Sequence, residues 1–228
     1  MGITLVLAPS RGSKLYRNHE EPLQIQVQGE GGSWLVPMLL IAGTQIEFLD
    51  IERSNSTIQI KPTQEYMLIN LSNMSITLEF SQDYRNQDIL FDPYRYENNP
   101  FATIDPVQFT KTHAIPQGYI DILAKWYSIK FTYPEKNLIF LRPHLGISIQ
   151  SHIKRTEDWR IIEGHPYIIA NSEMHYSVNP GDTFHTDNGK IHAIFNPTNE
   201  WVALEETYTG KFEEEDIMRI FNPNHYHL

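Results

Sequence analysis

Four side chains in the second half of the chain have the types and the spacing of a metal site. Gln150 and His152 lie two residues apart, so on a strand they point to the same face of the sheet. Glu157 follows a stretch long enough to turn or bulge that strand, and His192 ends the turn-rich segment 187–192. Amide, imidazole and carboxylate groups all bind divalent cations. The spacing therefore predicts one metal ion between two β-hairpins, with His192 closing the site from an opposing strand.

Composition limits the kinds of metal and partner. The chain has no cysteine, which excludes disulfides, thiolate zinc sites and thiol nucleophiles. The remaining oxygen and imidazole ligands suit Zn, Mn, Fe, Co or Ni without selecting one. Its 228 residues are 40% apolar, enough for a core in one or two domains. The formal net charge of -10 argues against nucleic acid or an anionic membrane as partner, because both would repel the protein.

Nothing in the sequence indicates export or membrane insertion. Residues 3–8 are apolar, but they lack a charged leading region and end at Pro9, too early for a signal peptide. No apolar run approaches the length of a transmembrane helix. We therefore expect a cytoplasmic location.

Alternating apolar and polar residues dominate the first part of the chain. Residues 23–28, 56–61 and 75–80 each have the pattern of a half-buried strand. Residues 34–49 are more continuously apolar and are expected to form two strands broken at Gly43. The pattern predicts an antiparallel β-domain over residues 1–91.

A proline-bearing connector is expected over residues 92–118, followed by a second domain over residues 119–228. This domain should begin with a helical turn at 119–125 and end with a short helix at 213–220. Between them, eight short strands with turn signals predict a small sandwich or barrel. The expected strands are 127–131, 137–141, 146–154, 159–162, 167–170, 175–178, 191–195 and 201–208.

Residues 125–221 resemble a cupin and, among cupins, the C-terminal domain of type II phosphomannose isomerases. The resemblance is carried by the segments 146–152, 155–159, 163–164, 189–192, 196–197, 204–205, 209–210 and 214–219. It implies an all-β fold, in which a cupin barrel (a double-stranded β-helix or jelly roll) follows a second β-rich domain in a bicupin-like arrangement. If the N-terminal half is itself cupin-like, it is degenerate and has lost the metal, because it has no histidine pair. Cupins often pair through exposed sheet edges, so the resemblance also allows a homodimer.

The same resemblance implies the ligand set and the cofactor. Phosphomannose isomerases hold their metal with a glutamine, two histidines and a glutamate, which correspond here to Gln150, His152, His192 and Glu157. The cofactor is then one divalent ion, with zinc the first choice and Mn, Fe, Co or Ni left open. Several nearby positions depart from the family pattern, which leaves the substrate more open than the fold. This chain has Lys154 and Asp158 where the family usually has histidines, and His185 where it often has a tyrosine. It has Asp187 in place of a proline and Ala193 in place of an arginine.

Two residues are candidates for the catalytic base. Lys154 lies two positions beyond His152 and is expected to face the site, where a nearby cation would lower its pKa; alternatively it binds phosphate or pairs with Glu157. His185 is the second acid–base candidate. Candidates for binding the substrate are Arg219, Lys190 and Arg142, although Arg219 could instead form an ion pair within the predicted helix.

These residues lead to a metal-dependent aldose–ketose isomerase as the first functional hypothesis. Its partner would be a small sugar or sugar phosphate, with mannose 6-phosphate and fructose 6-phosphate interconverted through a cis-enediolate. An isomerase of a non-phosphorylated aldose such as lyxose would use the same centre without the basic clamp. A cupin that binds a sugar or a protein without catalysis, and an iron dioxygenase, remain as alternatives.

Overall fold

The fold was examined in a computed structural model, which describes residues 3–28, 35–52 and 56–224. The chain divides into two compact units, residues 1–92 and 93–228. Both are built mainly from antiparallel strands, which confirms the predicted all-β class. None of the helices in the described ranges is long and apolar enough to cross a membrane.

The first unit contains two antiparallel sheets. The strand order is β1-β8-β3-β6 in one sheet and β5-β4-β7-β2-β9 in the other. A 3-10 turn at Tyr84–Asn86 precedes the last strand. The strands are β1 Ile3–Leu7, β2 Leu15–Arg17, β3 Leu23–Gln28, β4 Leu35–Ala42, β5 Gln45–Glu52, β6 Thr57–Ile60, β7 Glu65–Asn70, β8 Ile76–Phe80 and β9 Asp88–Phe91.

Alternation along the strands places the core of this unit. In β3, Leu23, Ile25 and Val27 are buried, whereas Gln24 and Gln26 are exposed. Residues from both sheets form one continuous apolar cluster. The predicted break at Gly43 is confirmed, since β4 ends and β5 begins around it; Trp34, placed in the first of these strands, lies outside the described residues.

The second unit repeats this two-sheet plan with additional elements at its start. One sheet has the order β10-β11-β12-β19-β14-β17. The other is built from the pair β13 and β20 and from β18, β15 and β16, joined by bridges from Gly146 to Phe195 and from Gln150 to His192. The elements are α1 Pro106–Thr112, β10 Asp121–Ala124, β11 Ser128–Thr132, β12 Asn137–Leu141, β13 Ile149–Ser151, β14 Arg155–Glu163, β15 Tyr167–Ala170, β16 Glu173–His175, β17 Thr183–Thr186, β18 Ala193–Phe195, β19 Val202–Gly210, a 3-10 turn Glu214–Asp216 and β20 Met218–Phe221.

The structure corrects both helical predictions made for this unit. The segment predicted as a helix at 213–220 forms the 3-10 turn and then β20, which pairs with β13. The turn consists of three adjacent acidic residues, and the residue before it makes no side-chain capping hydrogen bond. A helix is therefore weakly favoured here, and the following residues pair with β13 as a strand instead. The helical turn predicted at 119–125 is instead strand β10, which pairs with β11.

A helix that the sequence pattern did not predict lies within the proline-bearing segment. Asp105 caps α1 by accepting hydrogen bonds from the backbone N–H groups of Val107 and Gln108, and Pro106 occupies the first turn. Phe109 packs from this helix into an apolar cluster with Phe131. The segment therefore packs within the second unit, while the division into domains at residues 91 and 118 stays a prediction.

Candidate metal centre

The four predicted ligands meet inside the second unit. Gln150 lies in β13, His152 directly follows that strand, and Glu157 lies in β14. His192 stands opposite Gln150, with each backbone N–H donating to the other residue's carbonyl at 3.1 and 2.9 Å. His152, Glu157 and His192 are buried, and they offer ligand atoms within 4.8 Å of one another. Local strand pairing thus brings together residues from three parts of the sequence.

The distances between the side-chain atoms fit one shared cation. Nε2 of His152 lies 2.8 Å from Oε1 of Glu157, and Nε2 of His192 lies 3.4 Å from Oε2 of Glu157. The Nε2 atoms of Gln150 and His192 are 3.3 Å apart. A half rotation of the Gln150 amide exchanges its nitrogen and oxygen, and the hydroxyl of Ser148, now donating to its oxygen at 2.8 Å, can also accept from the nitrogen. Gln150 can therefore present its oxygen to a metal.

Unsatisfied atoms give an independent test of the fit. Nε2 of His152 and Oε2 of Glu157 are buried without a hydrogen-bond partner among the described residues, although each has a close polar neighbour. Nδ1 of His152 lies 3.0 Å from the carbonyl of Arg155, which accounts for its proton and leaves the lone pair on Nε2. Buried polar atoms normally have partners. A divalent cation would satisfy these atoms, so the donor set fits the implied metal.

Electrostatics keep the site in the protonation state that a metal requires. Burial acts to raise the pKa of Glu157, but close contact with His152 and attraction to His192 and Arg155 outweigh it and bring the pKa to about 2. Burial lowers the pKa of His192 to about 4, against the attraction of Glu157. At neutral pH the glutamate is therefore ionised and this imidazole is neutral, as ligands must be.

A cavity of about 360 Å³ borders two of the four residues, Gln150 and Glu157. Its wall includes Gln150 and Glu157 together with Arg155, which is 2% exposed. Nε of Arg155 donates to Oε1 of Glu157 at 2.9 Å, and its guanidinium lies 4.6 Å from the Phe212 ring centroid. Nη1 of Arg155 is buried with no hydrogen-bond partner in the described part of the chain. An unsatisfied cationic donor thus lies beside the candidate metal ligands, in a residue that borders the cavity.

Neither of the two predicted bases faces this cavity. The Lys154 side chain is 47% exposed and pairs with Glu213, so its predicted inward orientation is wrong. Strand β13 ends at Ser151, and alternation of side chains does not extend to residue 154. His185 is 51% exposed and lies 2.7 Å from Asp158 and 3.2 Å from Asp187, whose hydrogen bonds raise its pKa. A catalytic role for either residue stays a prediction without geometric support.

The three predicted substrate-binding residues lie in different surroundings. Arg219 lines the cavity and pairs with Glu214 at 2.6 Å. Lys190 is exposed in the turn before His192. The guanidinium of Arg142 lies over the Phe101 and Trp201 rings, at 4.6 and 5.6 Å. Of the three, Arg219 has the position that its predicted role requires.

Other residues at the cavity were missed or underrated from the sequence. Glu206, Lys130 and Arg155 line it. Glu206 pairs with Trp159 across β19 and β14, so it shares a sheet face with Glu157. The alternation of side chains along β19 could have shown that Glu206 faces the cavity. That inference requires knowing which residues of β14 and β19 stand opposite each other.

Two antiparallel sheets closing around a buried histidine–glutamate centre make the second unit a cupin barrel. Residues 119–222 match the family model described as mannose-6-phosphate isomerase C-terminal, which confirms the resemblance seen in the sequence. A search of curated proteins finds no significant match.

Solved structures similar to this chain include other cupins at low identity. An oxalate decarboxylase of Lactobacillus farciminis in complex with formate is 13% identical, with a TM-score of 0.38 over 96% of this chain and 78% of that one. The cupin domain of Schizosaccharomyces pombe Cnp3 is 13% identical, with a TM-score of 0.35 over 40% of this chain and 69% of that one. A cupin sugar phosphate isomerase of Silicibacter pomeroyi is 19% identical, with a TM-score of 0.33 over 37% and 60%. At these scores the likenesses carry no argument of their own.

Proposed function

We propose that the protein is a metal-dependent aldose–ketose isomerase that interconverts mannose 6-phosphate and fructose 6-phosphate. The observation that carries this proposal is the cluster of Gln150, His152, Glu157 and His192, of which Gln150 and Glu157 line a cavity of about 360 Å³. The match to the mannose-6-phosphate isomerase C-terminal family over residues 119–222 supports the same reaction class. The metal, zinc by first choice, would supply Lewis-acid stabilisation of negative charge that develops on the sugar oxygens.

Arg155 is suited to bind the reacting part of the sugar. Its Nε is committed to Glu157, which fixes the orientation of both side chains. The buried Nη1 has no hydrogen-bond partner among the described residues and would donate to a sugar oxygen bound next to it. A guanidinium is a permanent cation, and held in a site with little water it stabilises developing oxyanion charge strongly.

The charge of the cavity wall supports a phosphorylated substrate. Four basic residues line it against three glutamates (Glu157, Glu206 and Glu214), in contrast to the net charge of -10 of the whole chain; the basic residues are Lys125, Lys130, Arg155 and Arg219. Arg219 is partly neutralised by Glu214, and Lys130 lies 5.7 Å from the Phe212 ring centroid. Such a local concentration of cations attracts a small anion even into an acidic protein.

The test is an assay of the purified protein after loading with Zn, Mn, Fe, Co or Ni. Mannose 6-phosphate, fructose 6-phosphate, mannose and lyxose are compared by NMR of the product sugars. We expect turnover of the phosphorylated pair and weak turnover of the free aldoses. Protein that holds one metal and turns over none of the four sugars would refute the isomerase, and sugar binding without turnover would favour a non-catalytic cupin.

A matched pair of lysine variants tests the phosphate preference. Lys130→Met is expected to raise KM for mannose 6-phosphate at least about tenfold, because it removes one cation from the cavity wall. Lys136→Met removes an exposed lysine that pairs with Glu205 away from this cavity, so KM should not change. Equal KM values for both variants would contradict the assignment of the basic wall to phosphate. The cytoplasmic location and the homodimer stay predictions.

A further inference from the structure

Glu206 is a carboxyl group in the cavity that the metal centre does not use. It lies in β19 opposite Trp159 of β14, one pair along from the pair formed by Glu157 and Tyr208 on the same sheet face. On its other side it faces Asn137 of β12, whose Nδ2 donates to Oε1 of Glu206 at 2.8 Å. Glu157 and Glu206 are thus diagonal neighbours on one sheet face, and such neighbours lie roughly 7–8 Å apart. Glu206 is thus held toward the cavity beside the metal ligands.

The other carboxyl groups at the cavity are already committed. Glu157 contacts His152 and accepts a hydrogen bond from Arg155. Glu214 is largely exposed and pairs with Arg219 at 2.6 Å. Glu206 has a neutral amide as its hydrogen-bond partner, and no ion pair to it occurs within residues 3–28, 35–52 and 56–224.

A hydrogen bond to an amide orients a carboxyl group without fixing its charge. Burial, followed by repulsion from Glu157, raises the pKa of Glu206 to about 7, against the attraction of Lys130 and the hydrogen bond from Asn137. Arg155 also attracts its ionised form. Because Glu206 lines the cavity and is oriented by a neutral amide, its carboxyl group is placed to take a proton from a bound substrate and to return it.

We propose that Glu206 is the catalytic base and acid that moves the proton between C1 and C2 of the sugar, an inference that rests on the proposed isomerase function. As a carboxylate it takes the proton from C2 of the aldose; the C–H electron pair forms the C1–C2 double bond, and the carbonyl pair moves onto O1. As an acid it returns that proton to C1 while the O2 hydroxyl proton passes to O1 and the C2–O2 double bond forms. Glu206 ends as a carboxylate, and no external oxidant or reductant takes part.

The experiment compares Glu206→Gln with Glu205→Gln in metal-loaded protein. Glu205 is the adjacent glutamate, pairs with Lys136 and does not line this cavity, so its variant controls for the loss of a charge on β19. Deuterium uptake from D2O into C1 of fructose 6-phosphate is followed by NMR, with metal content by elemental analysis and sugar binding by calorimetry. In Glu206→Gln we expect uptake and turnover to fall by about 10²–10⁴-fold with metal content and binding retained. Glu205→Gln should match the wild type.

A second variant covers the case in which Glu206→Gln loses metal or fails to fold. In Glu206→Ala, added formate should restore deuterium uptake with a saturating dependence, because the small acid enters the space left by the side chain. Uptake within tenfold of wild type in Glu206→Gln would overturn the inference, as would folded, metal-loaded Glu206→Ala that formate does not rescue. If the wild type itself neither exchanges nor isomerises, the proposed function fails instead. If it does both while Glu206→Gln is unaffected, the assignment of Glu206 fails alone.

Discussion

The two units of the chain share a strand plan and differ in what fills it. In the first unit, a sheet with the strand order β1-β8-β3-β6 faces a second sheet whose edge strand, β9, follows a 3-10 turn. In the second unit, the strands β12-β19-β14-β17 face a second sheet whose edge strand, β20, also follows a 3-10 turn. Backbone pairs recur at the same spacing: Gly12 with Ile69 and Tyr16 with Tyr66 in the first unit, and Gly146 with Phe195 and Gln150 with His192 in the second. The first unit therefore has the plan of a cupin barrel.

A buried asparagine turn makes the correspondence specific. The side-chain amide of Asn70 donates to three backbone carbonyls in the first unit, and that of Asn196 does the same in the second. In each case a hydroxyl residue two positions later, Ser72 or Thr198, donates to the asparagine Oδ1 through both its backbone and its side chain. The two units therefore have the same hydrogen-bonded asparagine turn at corresponding positions.

The correspondence shows what occupies the ligand positions in the first unit. Counting from these pairs, Gln150, His152, Glu157 and His192 correspond to Tyr16, Asn18, Leu23 and Tyr66. Tyr16 and Tyr66 are buried, with ring centroids 5.6 Å apart. Leu23 is fully buried, and Asn18 donates to backbone carbonyls of Glu21 and Lys61. At the positions of the candidate metal ligands, the first unit thus has buried tyrosines, a leucine and a hydrogen-bonded asparagine, with no histidine and no carboxylate.

The position of the first unit that corresponds to Glu206 is occupied by an apolar residue. Phe80 of the first unit corresponds to it, since Phe80 pairs with Ile25 as Glu206 pairs with Trp159. The Phe80 ring is 1% exposed and packs on Tyr84, with the ring centroids 4.5 Å apart. One strand plan therefore holds a packed core in one unit and a cavity beside a histidine–glutamate cluster in the other, depending on a few inward-facing residues.

The largest expected effect is loss of metal from the second unit alone. His152→Ala should remove the bound ion, weakening metal affinity by at least about 100-fold, because the remaining donors can no longer enclose it. The corresponding change in the first unit, Asn18→Ala, should leave one metal per chain. Elemental analysis after dialysis measures both. If His152→Ala retains the metal and Asn18→Ala loses it, the metal is bound by the first unit and not by the second.

A smaller difference should appear in stability when the corresponding positions 80 and 206 are truncated. Phe80→Ala removes a ring that is 1% exposed and should lower the free energy of unfolding by about 3–5 kcal/mol. Glu206→Ala removes a side chain that borders an existing cavity, and we expect a change within about 1 kcal/mol. Denaturant unfolding of both variants gives the values. Equal losses would show that the second barrel is packed as tightly as the first.

The asparagine turns should respond alike in the two units. Asn70→Ala and Asn196→Ala each leave backbone carbonyls without a donor and should each cost about 2–3 kcal/mol. Asn99→Ala, at an exposed asparagine, should cost less than about 0.5 kcal/mol. A large cost in one unit and none in the other would mean that the turn has different roles despite its shared geometry.

Local patterns in the sequence predicted the strands and the ligand set, because both depend on spacing within a few residues. The alternation in β3 and the pair Gln150 and His152 are examples, and their positions in the structure follow from the pleat of a strand. Lys154 shows where this reasoning stops, since the strand ends before it. Where side-chain alternation is interrupted, spacing no longer tells which way a residue points.

The residues that were missed depend on pairing between distant strands. Glu206 faces the site because β19 lies beside β14 with Glu206 opposite Trp159. A shift of one residue in this pairing would have brought Glu205 to the cavity instead. The predicted helix at 213–220 was wrong for a related reason, since β20 exists through its pairing with β13. Long-range register, set by the whole barrel, decided these features.

The smallest expected effect is a pH-dependent stability difference at position 206 in metal-free protein. The folded protein binds the Glu206 proton more tightly than the unfolded chain, because the pKa is raised from 4.5 to about 7. Stability of the wild type should therefore fall as pH rises through this window, whereas Glu206→Gln has no such loss. Above pH 7 the variant should be more stable by on the order of 1–2 kcal/mol, with the difference vanishing below pH 4.5. Phe80→Leu, at the corresponding apolar position, should show a pH-independent difference from wild type, and urea unfolding between pH 4 and 8 would reveal whether position 206 behaves like position 80.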